Sequence, residues 1–159
     1  MGKDTMETGM VSSSRPRARF FIAACVVLAL MGIAHLAGSL QQPPPRDETE
    51  RQLLDLMTSY RMDLVGTPRS MMEIFKGFSH FFEVAALGMA LTGLMLASGS
   101  VRDARVLRRV SIAYVVTLGF GLVISLTHWF IVPTAFIGAA MVLFAVSAVV
   151  EGRGAGVRA

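Results

Sequence analysis

The run Lys76 to Ser98, KGFSHFFEVAALGMALTGLMLAS, is long enough to cross a bilayer and yet carries His80 and Glu83 in its first turns. A spanning helix needs about 20 mostly apolar residues, because the hydrocarbon core is about 30 Å thick and each helical residue rises about 1.5 Å. An ionisable side chain inside such a helix is costly in lipid and turns towards a partner or a cavity. Residues three apart share a helix face, so His80 and Glu83 stand together, and the same face carries Ala86, Ala90, Gly93 and Ala97. Small residues let a neighbouring helix come close. That face therefore points into a bundle.

Three further apolar runs have spanning length: Phe20 to Leu40, about Val110 to Phe130, and Pro133 to about Val150. With 53% hydrophobic and only 16% charged residues among 159, the chain is too apolar for an ordinary soluble domain. The fold class is all-α, a four-helix transmembrane bundle over 19–151 with spans at about 20–40, 77–98, 109–130 and 133–150. A net charge of +4 does not imply a nucleic-acid partner. The basic residues sit beside the apolar runs, at Arg15, Arg17 and Arg19 and again at Arg102, Arg105, Arg108 and Arg109, as topology determinants do, and no recognition motif accompanies them. Cys25 is the only cysteine, which excludes an internal disulfide or a thiolate metal cluster.

Residues 1–18, without apolar periodicity, read as a disordered cytoplasmic tail, and 152–159 as a flexible cytoplasmic tail. The first run has two readings. Its basic start, apolar core and the pair Ala37 and Ser39 fit a cleaved signal peptide, whereas its length and its face of Ala24, Gly32, His35 and Ser39 fit a packed helix that stays attached. Pro43, Pro44 and Pro45 end it and open a polar connection to Lys76. Within that connection Asp47 to Leu64 reads as an extracytoplasmic amphipathic helix with Leu53, Met57, Tyr60 and Leu64 on one side, closed by Gly66. Thr67 and Pro68 then read as the N-cap and first residue of a helix running to Ser98. Of the 15 Lys and Arg, ten lie in the two tails and the Arg loop before the third span, and five in the long connection. Positive charge stays inside, so both termini are expected in the cytoplasm of a multi-pass inner-membrane protein.

The stretches GIAHLAGSL at the end of the first span, PRSMMEIFKGFS entering the second and WFIVPTAF joining the third and fourth resemble a family of small four-helix bacterial integral membrane proteins. The resemblance covers most of the chain after Arg19 and implies the same four-span layout. That family has no assigned activity, so the resemblance implies no catalytic residues.

With this topology His35, His80, Glu83 and His128 fall in one layer beneath the outer surface, each on the small or polar face of its helix. On the third span that face is Tyr114, Thr117, Gly121, Ser125 and His128. One account is purely structural: interhelical hydrogen bonds worth about 0.6–2 kcal/mol each. The other is a site. Imidazoles with a carboxylate suit a transition metal such as Zn, Cu, Fe or Ni, with His35, His80, Glu83 and His128 as its ligands, and His with Glu also suits proton transfer. Gly and Ala faces disfavour a haem-sized cavity, and Met57, Met62, Met71 and Met72 read as packing rather than a thioether copper set. The functional reading is a binding or scaffold protein that holds a lipid, a metal, a membrane-protein partner or a second copy of itself through this layer. The alternative is a membrane-embedded enzyme using His/Glu acid–base or metal-assisted chemistry on a lipophilic substrate. Convergence of the four side chains is what would separate a site from interfacial anchoring.

Overall fold

A computed structural model of the chain describes residues 18–41, 43–99 and 103–155, with side chains described as far as Gly152. Of the two expected tails, 1–17 and 156–159 lie outside the described residues. Four helices are long and apolar enough to cross a membrane: α1 (Arg19–Ser39), α3 (Met71–Ser98), α4 (Ala104–His128) and α5 (Ile131–Ala155). A shorter helix, α2 (Glu48–Ser59), and an antiparallel hairpin of β1 (Arg61–Leu64) and β2 (Thr67–Ser70) join α1 to α3.

The connection departs from its expected form. The helix expected over Asp47 to Leu64 stops at Ser59, because Tyr60 turns to an extended conformation (ψ 118°) and the chain pairs with itself. Val65 (φ +54°) and Gly66 (φ +81°) form the two-residue turn, whose left-handed backbone matches the twist of a hairpin. The Asp63 carboxylate accepts the Gly66 N–H at 2.8 Å and fixes the turn. Gly66 thus has the positive φ of a helix C-cap but serves a strand turn. Thr67 and Pro68 belong to β2, and the cap of α3 is Ser70: its Oγ accepts Glu73 N–H at 3.2 Å while Glu73 Oε2 accepts Ser70 N–H at 2.8 Å. The buried side of α2 is also turned from the expected one. Glu50, Leu54 and Met57 are half-buried, whereas Leu53, Tyr60 and Leu64 are exposed.

Two span boundaries move for local reasons. Asp103 caps α4 by accepting Arg105 N–H at 2.8 Å, so Arg105, Arg108 and Arg109 lie within the helix instead of before it. Helix α5 starts at Ile131, with Pro133 in its first turn where a missing N–H costs no helical bond, and it continues to Ala155, past the expected end at 150.

Helix α1 lies between α3 and α5, and α4 packs on α5. The α1 residues Phe21, Ala24, Cys25 and Leu28 are fully buried. Phe144 of α5 joins the layers: its ring meets Phe21 edge-on at 5.4 Å and Tyr114 edge-on at 5.0 Å. The Tyr114 hydroxyl donates to Met89 O at 3.1 Å and ties α4 to α3. Ser111 Oγ and Ser147 Oγ, both buried, pair at 3.2 Å between α4 and α5. On α3 the buried residues are Glu83, Ala86, Ala90, Gly93 and Ala97, the face expected from the sequence. Gly93 marks the tightest approach of α1: a Cβ built there would overlap Cys25 Sγ.

Candidate functional site

At the α2 end of the bundle the last turns of α1 meet the first turns of α3. The stripe of small residues on α3 runs back from Ala86 through Glu83 to Ser79, since positions 79, 83 and 86 share the face turned to α1. His80 lies on the flank of that face. Its side chain is therefore 55% exposed, while that of Glu83 is 5% exposed.

A carboxylate this deep needs partners for its oxygens. Glu83 has one from each side of the seam: Oε1 accepts the Ser39 hydroxyl of α1 at 2.7 Å, and Oε2 lies 3.0 Å from His80 Nδ1. Ser39 Oγ also lies 2.9 Å from Leu36 O, so its one proton is shared between the carboxylate and its own helix. One turn away His35 Nε2 meets Ser79 Oγ at 3.1 Å, and its ring stands edge-on to Phe82 at 5.1 Å. Two cross-helix links, Ser39–Glu83 and His35–Ser79, therefore hold α1 to α3 at this end.

His128 is not part of this group. It is exposed at the end of α4, where its Nδ1 bonds the Thr127 hydroxyl and lies 3.3 Å from Ile124 O of its own helix. The buried face of α4 is Leu107, Ser111, Leu118 and Ser125, turned away from Thr117 and His128. Of the face read from the sequence, Ser125 is buried and Tyr114 and Gly121 are half-buried, but the centre of the buried side is turned towards Ser111 and Leu118, which leaves Thr117 and His128 exposed. The four-residue ligand set His35, His80, Glu83 and His128 is thus not assembled. Among the described residues no three His, Cys, Asp or Glu side chains are grouped to hold a metal ion. Glu73, the acid two turns before His80 on α3, is occupied in the helix cap.

Two cavities flank the seam. The smaller, about 450 Å³, is walled by aromatic side chains including Phe75, Phe82, Phe130 and Phe136, with His35 at its edge. The larger, about 660 Å³, lies beneath α2 and the three prolines and is lined by Lys76, His80 and Glu50 among others. Gly38, Ser39, Phe75 and Ser79 line both. Glu50 is held by Arg46, whose backbone N–H and then guanidinium keep its carboxyl below the usual carboxylate range. Ser39 belonged to the face read from the sequence; Ser79 and the phenylalanines did not. Extending the α3 stripe back by one heptad finds Ser79, whereas phenylalanines in a spanning helix look the same whether they face lipid or a cavity.

No family model matches the chain, and no curated protein or solved structure matches it.

Proposed function

We propose that this chain is a multi-pass inner-membrane protein, of the small four-helix bacterial type its motifs resemble, that binds a lipophilic ligand at the α1–α3 seam. Arg105, Arg108 and Arg109 stand at the start of α4, opposite the α2 end, so the positive-inside rule makes the α2 end the outer one. Helix α1 stays attached in this reading, because its buried face sits between α3 and α5.

One observation carries the binding reading. Two cavities share the wall Gly38, Ser39, Phe75 and Ser79, behind which the buried carboxylate of Glu83 accepts from Ser39 and meets His80, and both cavities fall within the range of about 300–1,000 Å³ common to small-molecule sites. A purely structural hydrogen bond has no need of such space. The His80–Glu83 pair at 3.0 Å also suits proton transfer, which favours acid–base chemistry on a lipophilic substrate as the second reading.

Thermal unfolding in a nonionic detergent tests binding. A Cβ at Gly38 would meet nothing within 4 Å, and Gly38 lines both cavities, so Gly38→Leu should fold and fill the shared wall. Added bacterial polar-lipid extract is expected to raise Tm of the wild type by several degrees and to leave Gly38→Leu nearly unmoved. Equal shifts in both proteins, or none in either, would contradict a ligand site at the seam.

A further inference from the structure

We infer that the ligand of this seam is an amphiphile with an acidic head, its head beside Lys76 and His80 in the larger cavity and its apolar part in the phenylalanine chamber. The inference rests on the binding reading above and adds to it the ligand's chemical class and direction.

The two cavities differ in chemistry. Phe75, Ser79 and Phe82 lie on one stripe of α3 and face the smaller chamber, and with Phe130 and Phe136 they make it apolar apart from the polar edge it shares. Met72, Lys76 and His80 lie on the next stripe, four residues apart, and face the larger cavity. Neighbouring stripes of one helix thus present an apolar and a basic surface side by side. Both stripes meet the shared residues Gly38 and Ser39 of α1, so the two cavities lie side by side, and the inferred ligand lies across that rim with its ends in different media.

The charge of the larger cavity chooses the head. Among the described residues Lys76 has no ion pair or hydrogen bond, and it is exposed to the cavity it lines. The acid beside it, Glu50, is already matched by Arg46 at 3.2 Å. What remains is one unpaired ammonium, Lys76, beside the Nε2 edge of His80, whose Nδ1 is already held by Glu83; the ammonium suits a carboxylate or phosphate head and leaves a neutral or cationic one without a charged partner. Bury an acidic head there and its tail has the aromatic chamber; bury a headless hydrocarbon and Lys76 gains nothing.

Trp129 reports on the chamber. It is the only tryptophan in the chain, and its ring stands edge-on to Phe82 at 5.0 Å. The purified protein in nonionic detergent is titrated with 12-bromododecanoic acid, whose bromine quenches a nearby indole, and in parallel with the methyl ester of the same acid. Saturable quenching by the acid is expected, about tenfold weaker for the ester, with Lys76→Gln weakening the acid about tenfold and leaving the ester unchanged. Gly38→Leu is expected to remove saturable quenching by both. Acetate, which carries the head without the tail, is expected not to displace the acid; displacement at equal concentration would overturn the amphiphile. Equal affinity for acid and ester, or an acid affinity indifferent to Lys76→Gln, would overturn the acidic head and leave the binding reading standing. No saturable quenching by either probe would overturn both.

Discussion

His80→Ala is expected to destabilise the bundle by about 1–3 kcal/mol, the cost of leaving a buried polar group without a partner, and Glu83→Gln in the same chain should return more than half of that loss. The Glu83 side chain is 5% exposed and has two partners, so removing the imidazole leaves Oε2 unmatched in a place water scarcely reaches. An amide at 83 can still accept from Ser39 and carries no charge to desolvate. The half-exposed position of His80 keeps the loss below that of a fully buried ion pair. Unfolding midpoints in a mixed-detergent titration of wild type, the two single variants and the double variant give the coupling. Additive effects would show that His80 and Glu83 do not hold one another.

Gly93→Ala should destabilise by a similar amount, about 1–3 kcal/mol, through overpacking. The added methyl overlaps Cys25 Sγ, which is fully buried on α1, and Phe21 lies 3.4 Å from the same point, so nothing nearby can turn away without disturbing the α1–α5 layer. Cys25→Ala removes the sulfur and should recover most of the loss in the double variant. Gly32→Ala offers the contrast. Its Cβ would come 2.8 Å from Leu87 Cγ, but Leu87 is only half-buried and its end can rotate, so the cost should be smaller. If Gly93→Ala and Gly32→Ala cost the same, and Cys25→Ala rescues neither, α1 and α3 do not pack as described.

The four long apolar helices were legible because each apolar run comes close to or passes the length of about 17–25 residues that crosses a bilayer, a constraint that tolerates errors of several residues at either end. The inward face of α3 was legible too, since Ala86, Ala90, Gly93 and Ala97 repeat in register with Glu83 and no bulkier stripe competes. On α4 the same reasoning held in part. Ser125 is buried and Tyr114 bonds α3 as expected, but the buried side is centred on Leu107, Ser111 and Leu118, and a face drawn through Thr117 was rotated far enough to bring His128 inward. The hairpin was hidden for a different reason: Leu53, Met57, Tyr60 and Leu64 keep helical spacing through a segment whose conformation is decided by Asp63, Val65 and Gly66 at the turn. Half of the candidate site was visible, in His35, His80 and Glu83. Its other half, the cross-helix hydroxyls and the aromatic chamber, depends on which residues of different helices share a depth, which no single helix encodes.

The proposed orientation puts the cavity where α1 meets α3 at the outer end of the bundle, open to an outside reagent. Gly38 lines both cavities, and a side chain there has room, so Gly38→Cys in a Cys25→Ala background places one thiol at that point. Intact spheroplasts are treated with a membrane-impermeant thiol reagent before and after permeabilisation. The expected result is full modification from outside in intact cells, slowed by prior addition of 12-bromododecanoic acid. Modification only after permeabilisation, or a thiol that never reacts, would contradict an accessible, outward-facing cavity at this seam.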